Sequence, residues 1–317
     1  MPVNDSHCHF FSPRFFDALA TLKGWEEPER GHRVTEAASW EHPDGVDLLA
    51  DRWVAALDAN GVGRAMLIAS VPHDESSVAA ALARHPTRFV GACMVNPLVR
   101  GAEMTVASAF AKGLRMVCLF PAMHKYTLTD QSVECLADIL AGRPGSCLFV
   151  HCGVLTLGIR KRLGLPTVFE ARYGNPLELQ GLAARHPTLP IIVPHFGAGF
   201  LRELLMVADV CPNVHVDTSS SNSWTKYWPG LTLSNVFRQA LLVMGPRRIL
   251  FGTDSSWFPR GWHRAVYDAQ VAALDELGVG EQDRELIFAG NFDRLFQAGE
   301  VADPAATVTE TSLLRRS

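Results

Sequence analysis

Two histidines separated by one residue, in Val3-Asn4-Asp5-Ser6-His7-Cys8-His9-Phe10, are the pair around which this chain's chemistry can be organised. In an extended strand alternate side chains share a face, so both imidazoles can point at one metal ion. Three later apolar runs end in residues of the same kind: CLFVH ends at His151, PIIVPH at His195 and RILFGTD at Asp254. The five side chains His7, His9, His151, His195 and Asp254 offer only nitrogen and oxygen donors. Imidazole with carboxylate suits zinc, and also manganese, iron, cobalt or nickel. Any one of these histidines read alone is a hydrogen-bonded core residue. Five metal-competent groups closing strand-like runs make a site.

The elements that must position them alternate along the chain. After the first strand, residues 13–23 read as a short helix with Phe15, Phe16 and Leu19 on one side, and the polar stretch 24–44 reads as an inserted loop. Leu49, Trp53, Ala56 and Leu57 recur at helical spacing, which predicts a helix over 47–60 closed by Gly61. Strands are then predicted at 64–70, 89–95, 114–120, 147–151, 190–195, 213–218 and 248–254. Helices between and after them are predicted at 75–84, 102–112, 132–141, 176–185, 200–210, 233–244 and 263–277. Two short helices, 282–289 and 292–296, close the series.

Eight apolar strands alternating with helices point to parallel strands with crossover helices. Eight such units in this length predict a single (β/α)8 TIM barrel over residues 1–300, with a polar tail at 301–317. No glycine-rich phosphate loop follows the first strand, which argues against a doubly wound nucleotide-binding sheet. A barrel gathers the C-terminal ends of its strands at one mouth, where the five donors fall.

Composition narrows the partners. A net charge of −4 and a pI near 6.3 give no footprint for nucleic acid or an anionic membrane. No apolar run approaches the roughly 20 residues that span a bilayer, and MPVNDSHCHF has no basic and apolar leader. The seven cysteines (Cys8, Cys93, Cys118, Cys135, Cys147, Cys152, Cys211) are odd in number and lie mostly in apolar runs. That pattern fits buried thiols in a reducing compartment, so a cytoplasmic location is expected. No C-x-x-C offers a cysteine zinc site. A small-molecule substrate is the expected partner, and a homodimer is one open assembly.

From DSHCHF through FVHCG, PHFGAGF and LFGTD to the closing NFDRLF, the chain resembles the amidohydrolase superfamily, in its amidohydrolase-related branch. That branch includes metal-dependent lactonases and the aminocarboxymuconate-semialdehyde decarboxylase group. By this resemblance His7, His9, His151 and Asp254 hold the ion, zinc first and manganese or another first-row metal second. His195 lies beside it as a weak ligand or a supporting group. Two-metal members carry a lysine at the end of the fourth strand; here the candidate position is Cys118, read as a buried spectator, so one ion is expected. The ion lowers the pKa of a bound water, Asp254 accepts the water's proton, and His195 hydrogen-bonds the substrate oxygen as charge develops.

Substrate contacts are sought on the loops after the strands. Arg260, in GTDSSWFPRGW, has the planar fork that matches a carboxylate. Trp224, Trp257 and Phe258 can form an apolar wall, and His124 follows the fourth strand; the basic run 160–162 reads as a solvated loop. Two activities fit: metal-dependent hydrolysis of a small ester, lactone or amide, or non-oxidative decarboxylation of an unsaturated or aromatic acid. The GTDSSWFPRGW loop does not match the decarboxylase form, which favours hydrolysis. A silent barrel used as a binding module is disfavoured, because all five site residues are present.

Overall fold

The structure, a computed structural model, describes residues 1–26 and 28–296. Eight parallel strands form one sheet in sequential order: β1 (Asn4–Phe10), β2 (Arg64–Ala69), β3 (Phe89–Met94), β4 (Met116–Leu119), β5 (Cys147–Val150), β6 (Ile191–Val193), β7 (Val214–Asp217) and β8 (Ile249–Leu250). The segment after β8 returns to β1: Ser6 N donates to Phe251 O (2.9 Å), Asp254 N to His7 O (2.9 Å) and His9 N to Ser255 O (2.7 Å). These bonds curl the sheet into a TIM barrel.

Side chains sort by the two-residue period of a strand. Met66, Ile68, Val90, Ala92, Met116, Cys118, Cys147 and Phe149 form an inner cluster. Their neighbours Leu67, Cys93, Val117 and Leu148 belong to the layer between strands and helices. Because both faces are covered, the strands are apolar throughout. Cys8 and Phe10 of β1 join the outer layer, which leaves His7 and His9 facing inward. Phe292, Leu295 and Phe296 join the inner cluster from the closing helix Asn291–Phe296.

Apart from α2, α6 and α8, which fall in stretches read as loops, the helices follow the expected places: α1 (Pro13–Leu22), α2 (Arg30–Ala38), α3 (Val46–Asp58), α4 (Glu75–Arg84), α5 (Ala102–Ala111), α6 (Pro121–His124), α7 (Gln131–Ala141), α8 (Gly158–Arg162), α9 (Leu179–Arg185), α10 (Leu201–Val210), α11 (Leu233–Met244) and α12 (Arg264–Glu276). Three differences stand out. Residues 24–44 are not simply a loop but carry α2, whose Val34 and Ala38 are buried against Phe15, Phe16 and Leu19 of α1. The run 160–162 lies in α8, whose Ile159 enters the same small cluster, and Arg162 donates to Ala38 O (2.9 Å). β8 pairs regularly over two residues only, since Gly252 lies against His7 and Asp254 has a left-handed φ of 61°. The domain limit near residue 300 and the tail 301–317 lie outside the described residues. No helix among the described residues is long and apolar enough to cross a membrane.

Candidate metal centre and active site

At the C-terminal mouth, His7 and His9 bring their Nε2 atoms within 3.3 Å of each other. Asp254 places Oδ1 3.2 Å from His9 Nε2 and 3.7 Å from His7 Nε2. His7 is buried, whereas Asp254 is 34% exposed, toward a cavity of about 400 Å³. His151 and His195 line the same cavity, their ring centres 5.2 Å apart, and His195 lies 5.0 Å from His7. His151 does not join the His7, His9 and Asp254 trio at its close spacing, and its buried Nδ1 has no hydrogen-bond partner.

The proton positions follow from the partners. His7 Nδ1 faces Asp217 Oδ2 at 2.9 Å, and a carboxylate only accepts, so the ring proton is on Nδ1. Ser70 gives its single hydroxyl proton to Ile68 O (3.0 Å), so it must accept from His9 Nδ1 at 2.8 Å. Ser219 donates to Asp217 Oδ1 and therefore accepts from His195 Nδ1 at 2.8 Å. In all three neutral rings Nε2 is left as a bare acceptor. Two such nitrogens and a carboxylate oxygen converge with no proton between them, a donor set that fits a divalent cation.

The electrostatics agree for His9, His151 and His195 and run the other way for His7, whose raised pKa favours a charged ring. Burial pushes the His9, His151 and His195 pKa values down, favouring neutral rings. For His7 burial is outweighed by Asp217, which raises the pKa. For Asp254 burial is outweighed by the His9 ring 3.2 Å away and by the imidazoles of His7 and His195, which hold the carboxyl well below its ordinary value. Strain accompanies the site: His195 has φ 57° and Asp254 φ 61°, both in the left-handed region that costs a non-glycine residue energy. Gly153 (φ +86°) lets the loop after β5 pass the loop after β6, because a Cβ there would meet Gly197 O at 2.2 Å.

Sequence reasoning missed Asp217, Ser219 and Ser70. Asp217 ends the seventh strand in NVHVD and was legible by the same strand-end position that picked out the histidines. Its buried carboxylate accepts from His7 Nδ1, Ser219 N (2.9 Å), Ser219 Oγ and His195 N (3.2 Å), and so fixes two rings at once. Asp5 fixes the backbone: it accepts from His7 N (2.9 Å), Thr253 N (3.1 Å) and Trp262 Nε1 (2.7 Å).

Arg260, Trp257 and Trp224 line the cavity. His124 does not: α6 turns it away, and its half-buried ring, with Nδ1 unpartnered beside Tyr126, is pushed down to about 4 by burial. Phe258 is buried against Trp53 and is no part of that wall. Cys118 is fully buried in the inner cluster, away from the cavity, and burial pushes its thiol far up. Among the described residues no thiol joins a metal-competent cluster.

The sequence profile of the amidohydrolase family matches residues 5–297. No curated protein matches the chain. Among solved structures, an uncharacterised TIM-barrel protein from Bordetella bronchiseptica is similar at a TM-score of 0.63 and 18% identity, over 93% of this chain and 98% of that one. An amidohydrolase from Burkholderia multivorans with bound zinc is similar at 0.61 and 15%, over 93% and 99%. A probable 2-pyrone-4,6-dicarboxylic acid hydrolase from Acinetobacter baumannii is similar at 0.58 and 15%, over 93% and 99%.

Proposed function

The chain belongs to the amidohydrolase family, and on that premise we propose that it hydrolyses a small ester or lactone, with an amide as the slower relative, by activating a water at the barrel mouth. One observation carries the reading: His7 Nε2, His9 Nε2 and Asp254 Oδ1 converge as bare acceptors beside a cavity of substrate size. His7, His9 and Asp254 would hold one divalent cation, with His151 as a fourth donor. Bound there, the cation supplies Lewis acidity and a water whose pKa is drawn toward neutrality. Zinc is the first choice, in keeping with the Burkholderia multivorans relative, and manganese the second.

Asp254 accepts a proton from the attacking water and delivers it to the departing oxygen, so that ester plus water gives acid plus alcohol. His195 takes a role different from the oxyanion donor expected from sequence. Its Nδ1 proton is committed to Ser219, so the neutral ring presents an acceptor, which orients the water's second hydrogen. Asp217 and Ser219 keep His7 and His195 in these tautomers.

A panel of lactones, aryl esters and ring carboxylates, given to zinc-reconstituted protein, tests the assignment. Acid release in a pH-stat, with no CO2, is the expected result. CO2 evolution from a ring carboxylate without acid release would make the protein a carboxy-lyase on the same site.

A further inference from the structure

A buried glutamine takes the place of a backbone rung where the chain leaves β8 for the metal donors. β7 and β8 pair at Val216 with Ile249 and at Asp217 with Leu250, and Thr218 N continues the pattern by donating to Leu250 O (3.0 Å). In a parallel ladder the next bond runs from Gly252 N to Thr218 O. Here Gly252 N donates instead to the Thr218 hydroxyl (3.2 Å). Thr218 Oγ1 gives its own proton to Gln270 Oε1 (2.6 Å), and Gln270 Nε2 donates to both Thr218 O (2.9 Å) and Gly252 O (3.1 Å). The carboxamide thus uses its acceptor and both donors, and the two carbonyls it faces fix its orientation.

Gln270 comes from α12, whose other buried residues are Val266, Ala273 and Leu274. It is 1% exposed, in a helix stripe that is otherwise apolar. A buried amide is unfavourable unless its hydrogen bonds are made, and these all go to the gap between the two strands. Thr218 O has a second donor in Asn222 Nδ2 (3.1 Å). Gly252 O has no other donor among the described residues, so the loss of the amide would fall on Gly252 first.

The displaced rung changes where the chain goes next. Gly252 packs on β1, where a Cβ added to it would meet His7 Cβ at 3.1 Å. The bonds that follow run to β1: Thr253 N to Asp5 Oδ1 (3.1 Å), Asp254 N to His7 O (2.9 Å) and His9 N to Ser255 O (2.7 Å). A wedge on the β7 side and a tight contact on the β1 side lean Asp254 toward the histidines, with Oδ1 3.2 Å from His9 Nε2.

We propose that Gln270 is a positioning residue for the metal centre: its amide, wedged between β7 and β8, sets where Asp254 stands relative to His7 and His9. It bonds none of the donors and lines no part of the cavity. The inference rests on the reading of these residues as metal donors.

Cobalt(II), whose visible spectrum reports its ligand geometry, is the probe, given to full-length protein with a chromophoric chelator as competitor. Gln270→Met keeps the length of the side chain and removes its hydrogen bonds. It is expected to weaken cobalt binding by about 10-fold, the low end of what a lost outer partner costs, and to change the visible bands. Leu274→Ala, one turn further along α12, opens a hole in the same stripe and leaves the wedge intact. It is expected to lower the thermal midpoint with cobalt affinity and spectrum unchanged. Wild-type affinity and spectrum in Gln270→Met overturn the proposal. So does a Leu274→Ala variant that shifts both as far, since the effect would then be loosened packing. Should Gln270→Met fail to fold, Thr218→Val decides, because it removes the hydroxyl shared by Gly252 N and Gln270, with Thr218→Ser restoring it. Thr218→Val is expected to weaken cobalt and Thr218→Ser to match the wild type; wild-type cobalt binding in Thr218→Val overturns the proposal. Wild-type protein that takes up no cobalt would sink the metal reading and leave the wedge to a crystal structure of Gln270→Met. There Asp254 Oδ1 is expected to have left its place 3.2 Å from His9 Nε2, and an Asp254 that stays overturns the proposal.

Discussion

The proton on His7 is placed by Asp217, a residue at the end of β7, two strands away around the closed barrel, that does not line the cavity. Carboxylates behind ligating imidazoles fix the ring and raise its basicity, and losing one typically costs about 10–100-fold in metal affinity. Asp217→Asn should therefore lower zinc affinity by that factor, measured by competition with a chromophoric chelator. Asp254→Asn should separate the two functions of Asp254: three imidazoles and an amide oxygen keep a share of the metal, while kcat falls by about 10²–10⁴-fold with the general base gone. Undiminished zinc affinity in Asp217→Asn would show that the ring is oriented without it. His151, His195 and Asp254 were legible because each closes an apolar run, and His7 and His9 because they stand one residue apart in a single extended segment. Ser70 and Ser219 were not, because a serine there looks like any loop residue until its neighbour is known to be a histidine ring.

Elements were legible where an apolar period runs for two turns or more, as in α3 and α11. They were not where burial rests on a few residues: α2 buries Val34 and Ala38 among polar neighbours, and α6 is a single turn that redirects His124. Polar clamps between helices were also invisible in sequence. Glu134 on α7 accepts from Arg185 Nε (2.9 Å) and Nη2 (2.6 Å) at the end of α9, and bonds His186 Nε2 (2.8 Å). The Arg185 hydrogen bonds, against a smaller opposing effect of burial and aided by His186, bring the Glu134 pKa down to about 2 from 4.5. A carboxyl lowered on folding adds stability in full above its unfolded pKa, and that stability fades as pH falls toward 2. Glu134 is 21% exposed, so Glu134→Gln should cost only about 0.5–1 kcal/mol at pH 7. In urea titrations the gap between variant and wild type should narrow from pH 4.5 to pH 3. A gap that holds constant over that range would mean the clamp is not ionic.

For the whole molecule, the site is also the seam of the barrel. His7 and His9 belong to β1 and Asp254 to the segment after β8, so a cation held by all three ties the first strand to the last. Ligand that binds only the folded form stabilises it by about 4 kcal/mol at a thousandfold excess over Kd. Adding a chelator to zinc-loaded protein should lower the thermal midpoint by several degrees, and should leave a His7→Ala, His9→Ala double variant unmoved. A wild-type midpoint indifferent to chelator would remove the ion from this seam. The same arrangement governs when the site can exist at all. A chain is made from its N-terminus, and Ser6 must wait 245 residues for Phe251, the carbonyl that receives its hydroxyl. During synthesis His7 and His9 leave the ribosome early and remain without their carboxylate until the last strand follows. A translation product that stops short of Asp254 lacks the carboxylate of the proposed site, so the site cannot form until all eight strands have been made.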